Sequence, residues 1–151
     1  MDIQRKEMDL VYFMTGVIPS FTKLLEPFVK HCVLCNVTAA RILGLTRTDG
    51  FPLEFYTTDD VMNSALVSAI KVDSLDLTDT IEFDGVILTD IGRTVCEMLK
   101  MDTADDFTIF ESIYNANAKI GRDGLFEMAV RYGVTDLLES KWQDAMEIYY
   151  E

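Results

Sequence analysis

The sequence contains few of the residues on which many catalytic sites depend. Its 151 residues include one histidine and three cysteines, so little can be built from a nucleophile and an imidazole base. It has no Gly-x-Gly-x-x-Gly segment after a strand and no phosphate-binding loop that ends in Gly-Lys-Ser/Thr. Carboxylates are plentiful, so a carboxylate-based enzyme is kept as an alternative, the least favoured one. These absences favour a protein that binds rather than catalyses.

Long apolar runs, disulfide patterns and linkers are also missing. No apolar run approaches the roughly 18 residues that cross a membrane, and the first residues do not resemble a signal peptide. An odd number of cysteines argues against a secreted disulfide framework. Three prolines and eight glycines mark no low-complexity segment or linker. We expect one cytoplasmic domain over residues 1–151, with no membrane partner.

Basic residues are scarce, and the acidic excess is uneven. The chain has 13 basic and 26 acidic residues. Residues 1–56 are neutral, residues 57–112 carry a net charge of −10, and residues 113–151 carry −3. Because non-specific nucleic-acid binding depends on Lys and Arg contacts to phosphate, this distribution opposes direct nucleic-acid binding. It favours a basic protein partner or, more simply, solubility.

Hydrophobic periodicity predicts a mostly helical chain. Apolar residues recur at helical spacing over 5–18, and a helix is predicted over 27–35. Asn36-Val-Thr offers a cap for a short helix that ends near Leu45. Thr57-Thr-Asp-Asp predicts a helix start, because hydroxyls cap helices and carboxylates suit the positive end of the dipole. Further helices are predicted over 57–70, 90–101, 103–118, 125–132 and 135–148, with a turn over 121–124.

One segment carries a clear β pattern. Leu75, Leu77, Ile81 and Phe83 are apolar at alternate positions. Asp84-Gly85 then separates two β-prone runs, and this pair favours a two-residue hairpin turn. The predicted fold class is therefore α+β, predominantly helical, with one β-hairpin at about 79–89. Apolar faces that include Phe107, Phe110, Ile113 and Tyr114, and the end that contains Trp142, Ile148, Tyr149 and Tyr150, are assigned either to the core or to a homodimer seam.

The residues after the hairpin read Leu88-Thr89-Asp90-Ile91-Gly92-Arg93. A hairpin followed by this segment resembles the wing region of MarR-type winged-helix regulators. The resemblance covers residues 37–100 and implies a winged-helix-like fold with a helix from Thr58, C-terminal dimer helices and duplex DNA binding. The hairpin has no Arg or Lys between Val72 and Asp90, where that family carries basic wing residues. A second helix-turn-helix pattern lies at Leu125–Trp142, with acids on its candidate recognition face.

The acidic residues around the hairpin are the candidate partner-binding site. Asp76, Glu82 and Asp84 are predicted to share the polar face of the strands, about 6–7 Å apart between alternate residues. Carboxylates at this spacing can imitate a line of phosphates and attract the basic groove of a nucleic-acid-binding protein. The alternative is a solvated edge strand whose charges prevent aggregation. The candidate set is Asp73, Asp76, Asp79, Glu82, Asp84 and Asp90.

His31, Cys32, Cys35 and Cys96 are the weak metal-site candidates, because a structural zinc needs four such ligands. The Cys-x-x-Cys spacing also suits a redox pair. Both cysteines lie among apolar residues, however, and free cysteine is among the most buried residue types. We therefore interpret them as core thiols, and predict neither a metal nor another cofactor.

Overall fold

A computed structural model describes residues 32–83 and 86–149 as a mixed α+β structure. About half of the described residues are helical, and five strands form one sheet. The strands are β1 (Cys32–Leu34), β2 (Leu53–Thr57), β3 (Val67–Lys71), β4 (Thr80–Phe83) and β5 (Val86–Thr89). The helices are α1 (Asn36–Ile42), α2 (Ile91–Met101), α3 (Asp106–Ile120), α4 (Arg122–Tyr132) and α5 (Thr135–Met146). No helix in these two ranges is long and apolar enough to cross a membrane.

The sheet has the strand order β3-β2-β1-β5-β4, so the short β1 is central. It pairs antiparallel with β2 and parallel with β5, while β3 runs parallel to β2. All three residues of β1 are buried, as expected for a central strand covered on both faces. In β2, buried Leu53, Phe55 and Thr57 alternate with half-buried residues, which is the period of two that a half-covered strand shows.

The predicted hairpin is confirmed. β4 and β5 are antiparallel, with Thr80 opposite Thr89 and Phe83 opposite Val86. The turn residues Asp84 and Gly85 lie outside the described residues, but this register leaves two residues between the strands. The strand prediction was wrong at Leu75 and Leu77, which lie in the 72–79 loop before β4. Leu77 is exposed there, so its alternation with Leu75 does not reflect burial.

The predicted helix over 57–70 is wrong, and the helix predicted over 27–35 is wrong in its described part, where Cys32–Leu34 form β1. Thr57 ends β2, and its hydroxyl accepts a hydrogen bond from the Asp59 amide at 3.1 Å. The hydroxyl therefore closes a local turn and does not cap a helix. A threonine hydroxyl can make either kind of hydrogen bond. The chain then returns to pair β3 with β2, a non-local contact that overrides the local helix signals. The predicted helix over 5–18 and residues 27–31 lie outside the described residues.

The later helices follow the sequence predictions closely. Asp90 caps α2 by accepting from the Arg93 amide at 2.9 Å, and Asp105 caps α3 by accepting from the Thr108 amide at 2.8 Å. The turn predicted over 121–124 is shorter in the structure. It consists of Gly121, which has a φ of 82°, and α4 begins at the next residue. Gly133, at φ 71°, makes the predicted tight turn into α5.

The core lies where α2 meets the sheet and the other helices. Eight of the eleven residues of α2 are buried. The largest fully buried side chains include Leu34, Phe55 and Leu88 from the sheet and Ile91, Ile109 and Ile113 from α2 and α3. Ile113 therefore belongs to the core, whereas Phe107 is 49% exposed. Tyr150 lies outside the described residues, and the homodimer stays a prediction.

Candidate acidic interaction surface

The acidic candidates divide into exposed and internally bonded residues. Asp73, Asp76 and Glu82 are exposed, Asp79 and Asp90 are half-buried, and Asp84 lies outside the described residues. The prediction that Asp76 and Glu82 share a strand face is wrong, because Asp76 lies in the 72–79 loop and only Glu82 lies on β4. The site is therefore not a single strand face.

The exposed acids instead extend from one edge of the sheet to the other. The 58–66 loop adds exposed Asp59 and Asp60, which sequence reasoning had assigned to a helix start. We call the five exposed residues Asp59, Asp60, Asp73, Asp76 and Glu82 the acidic band. The 72–79 loop connects β3 at one edge with β4 at the other. Four strand spacings of about 4.8 Å each make this span about 19 Å.

A buried arginine fixes the middle of the acidic band. Arg93 of α2 is 3% exposed and donates from one terminal nitrogen to the Asp76 carbonyl at 2.8 Å and the Thr78 carbonyl at 2.6 Å. Its Nε also pairs with Glu97 one turn along α2, at 3.0 Å. The guanidinium thus bonds the backbone of the 72–79 loop and leaves the Asp76 carboxylate outside this network.

The Asp76 carboxylate makes its own local turn. It accepts from the Thr78 amide at 2.9 Å, an Asx turn that aspartate favours in loops. The hydrogen bonds from Thr78 lower the pKa of Asp76, and the nearby Arg93 charge acts in the same direction. Asp76 is therefore a charged, exposed and positioned carboxylate at neutral pH.

Asp79 and Asp90 serve the fold. Asp79 accepts from the Tyr132 hydroxyl at 2.8 Å and from Arg131 at 3.1 Å, so it ties the loop to α4. Asp90 is the cap of α2. Burial raises the pKa of Asp90 to about 6, against the lowering effect of the Arg93 amide. Neither carboxylate is free to bind a partner.

Replacing Asp90 with asparagine is expected to stabilise the protein at neutral pH. Asparagine caps helices as well as aspartate does, and it carries no charge to bury. Because the folded pKa lies above the usual 3.8, the stability from Asp90 is present below about pH 4 and is lost as the pH rises through about 6. The gain at pH 7 should be about 1–3 kcal/mol, measured by urea unfolding at several pH values.

The control for this variant is Asp105→Asn, at the exposed cap of α3. It makes the same substitution at the same helical position, so it should change the free energy of unfolding by less than about 0.5 kcal/mol. Equal responses of the two variants across the pH range would contradict the role of Asp90 burial.

Apolar side chains are interspersed with the acidic band. Met62 and Leu66 in the 58–66 loop are 91% and 54% exposed, and Leu77 in the 72–79 loop is 56% exposed. Lys71 is the only basic residue between 57 and 83, and it pairs with Asp60. The surface therefore combines uncompensated negative charge with exposed apolar groups.

The cysteines lie in the core rather than at the acidic band. Cys32, Cys35 and Cys96 are all buried and free. Burial raises the pKa of Cys32 to about 11 and of Cys96 to about 12, and that of Cys35 well above its usual value. The raised pKa values favour the protonated thiols at neutral pH, whereas thiol exchange needs the thiolate. His31 lies outside the described residues, and within them no three His, Cys, Asp or Glu side chains form a metal-binding group.

Comparisons with known proteins identified no relative of this chain. No protein-family model, no curated protein and no solved structure matches this chain.

Proposed function

We propose that this chain is a non-catalytic interaction protein whose acidic band binds a basic partner protein. One observation carries the proposal: the segment 57–83 holds six carboxylates and a single cation, Lys71, which Asp60 already neutralises. No other Lys or Arg lies in the segment 57–83 to pair with the remaining exposed carboxylates. Uncompensated charge of one sign speeds association with a surface of opposite charge.

The exposed apolar residues distinguish this surface from one that serves solubility alone. A solvated face needs only charges, whereas interfaces combine buried apolar anchors with a polar rim. Met62 is almost fully exposed, and methionine adapts its shape to a partner. Leu77 directly follows Asp76, so an apolar contact and a carboxylate are presented together.

The partner class that fits best is a nucleic-acid-binding protein. Its basic groove is built to meet negative charges along a nucleic-acid backbone, and the acidic band presents negative charges across a sheet about 19 Å wide. The chain would then act as an inhibitor that imitates nucleic acid in the groove. Direct nucleic-acid binding is opposed by the same charge.

The proposal is tested by charge reversal of the acidic band. The triple variant Asp73→Lys, Asp76→Lys and Glu82→Lys changes three exposed side chains. It removes only the local hydrogen bond from the Thr78 amide to Asp76, and it leaves Asp79 and Asp90 in place. We expect it to lose the partner that the wild type captures from a lysate of its source cells, with affinity at least about tenfold weaker by titration. Excess duplex DNA should displace the same partner from the wild type.

A matched control reverses three exposed acids of α5, Asp136, Glu139 and Asp144. It makes the same change in net charge at another place, so it should retain the partner with less than about a threefold loss. Equal loss in both variants would show that net charge, not the acidic band, is responsible. Unchanged binding in both would reject the acidic band as the site.

A MarR-type winged-helix regulator that binds duplex DNA is the second candidate. The observation in its favour is the β4–β5 hairpin that leads directly into α2. Where the resemblance expects a helix from Thr58, the chain forms the 58–66 loop and then β3. This candidate predicts sequence-specific duplex binding that weakens as salt rises. Recovery of specific DNA fragments by the wild-type bait, with no protein partner, would favour it over the acidic interaction protein.

A further inference from the structure

A second site lies away from the acidic band, where α1, the 43–48 segment, α3 and Tyr149 line an open cavity of about 400 Å³. Cavities of 300–1,000 Å³ commonly hold small molecules. Two arginines, Arg41 and Arg47, line this cavity together with a buried glutamate, Glu111. In a chain with twice as many acidic as basic residues, two arginines at one cavity form a distinct local environment.

The glutamate does not neutralise both arginines. Glu111 Oε1 accepts from the Thr46 hydroxyl at 2.8 Å and the Arg47 amide at 2.7 Å. Its Oε2 accepts from Arg47 Nε at 3.0 Å and the Tyr149 hydroxyl at 2.9 Å. A carboxylate has about four acceptor positions, so Glu111 is fully occupied and has none left for Arg41.

The arginines therefore keep donors for a ligand. Arg47 uses only its Nε on Glu111, and its side chain is 74% exposed. Arg41 is half-buried in the last turn of α1, and no described residue accepts a hydrogen bond from its guanidinium. The helix dipole favours a cation at this position, but it satisfies none of the five guanidinium donors.

We propose that this cavity binds the phosphate group of a small phosphorylated molecule between Arg41 and Arg47. A guanidinium binds an oxyanion through two parallel hydrogen bonds. One guanidinium that binds in this way occupies both oxygens of a carboxylate, whereas the three terminal oxygens of a phosphate monoester can accept hydrogen bonds from two arginines at once. The volume of the cavity exceeds that of a phosphate alone, so the remainder accommodates an organic group beside Tyr149 and Asn115.

The test is calorimetric titration of the wild-type protein with phenyl phosphate, inorganic phosphate and benzoate at 0.15 M salt. At that ionic strength the distant negative charges are screened beyond about 8 Å. We expect phenyl phosphate to bind more tightly than inorganic phosphate, and benzoate to bind least. Absence of binding by both phosphates, or tighter binding of benzoate, would overturn the proposal.

Arg41→Ala is the informative variant, because Arg41 has no partner among the described residues and its loss should leave the fold intact. It should weaken phenyl phosphate binding at least about tenfold. Arg41→Lys should have an intermediate affinity, because lysine keeps the charge but cannot make two parallel hydrogen bonds. Lys100→Ala, an exposed cation on α2, removes the same charge elsewhere and should bind as the wild type does. Equal affinity of Arg41→Ala and the wild type would refute the site.

Discussion

Replacing Arg93 with methionine is expected to destabilise the protein by about 3–5 kcal/mol. The side chain of Arg93 is 4% exposed and that of Glu97 is 14% exposed, so the substitution leaves a carboxylate buried without its cation. It also leaves the Asp76 and Thr78 carbonyls without the donor that binds them, and each unpaired buried acceptor adds a desolvation penalty. The midpoint of urea unfolding at pH 7 measures the loss.

Two further variants separate the buried charge from lost packing. Arg93→Met with Glu97→Gln removes the unpaired charge, so it should be more stable than Arg93→Met alone. Arg131→Ala breaks an ion pair with Asp79 in which Arg131 is 52% exposed, and exposed pairs are worth less than about 1 kcal/mol. An Arg93→Met loss no larger than that of Arg131→Ala would contradict the structural role of Arg93.

The role of Arg93 shows that the segment Leu88–Arg93 serves the fold here. Asp90 caps α2, Thr89 and Thr94 bond through their hydroxyls at 2.6 Å, and Arg93 holds the 72–79 loop. Gly92 lies against α4, where an added Cβ would come within 2.6 Å of the Met128 side chain. The sequence identified the position and the cap of this segment. It did not indicate a buried arginine, since arginine is usually exposed and its acceptors are backbone carbonyls 15 and 17 residues earlier.

Local signals explain which parts of the fold the sequence predicts. The hairpin and α2 to α5 are encoded by turn residues, caps and short-range periodicity, and all were predicted within a few residues. The pairing of β2 with β3 is different. Its strands are only five residues long. The Thr57-Thr-Asp-Asp pattern, which spans the end of β2 and the start of the 58–66 loop, satisfies the rules for a helix cap as well as those for a turn.

The same distinction applies to the candidate sites. Charge distribution indicated the acidic segment, and the structure keeps Asp73, Asp76 and Glu82 exposed. Charge distribution did not separate them from Asp79, because the partner of Asp79 is Arg131, 52 residues away. The cavity at Arg41 was missed for the same reason, since Glu111 bonds residues 64 and 65 positions earlier.

Replacing Glu111 with glutamine is expected to destabilise the protein by about 3 kcal/mol, because hydrogen bonds to a charged acceptor are worth about 1.5–3 kcal/mol each and glutamine retains only one acceptor oxygen. The new amide would face Arg47 Nε or the Arg47 amide, both of which are donors. The 43–48 segment would lose its main attachment to α3. Urea unfolding at pH 7 measures the effect, with the exposed Glu139→Gln on α5 as the control.

The pH dependence of this difference gives a sharper test than its size. Burial alone would raise the pKa of Glu111, but hydrogen bonds from Arg47, Thr46 and Tyr149 outweigh it and hold the pKa below its usual 4.5. A depressed folded pKa contributes stability that is present above the unfolded pKa and is lost as the pH falls through the folded value. The stability difference between wild type and Glu111→Gln should therefore be constant from pH 7 to about 5 and shrink below about 4. A difference that stays constant down to pH 3 would mean that the carboxylate charge is not what these four donors stabilise.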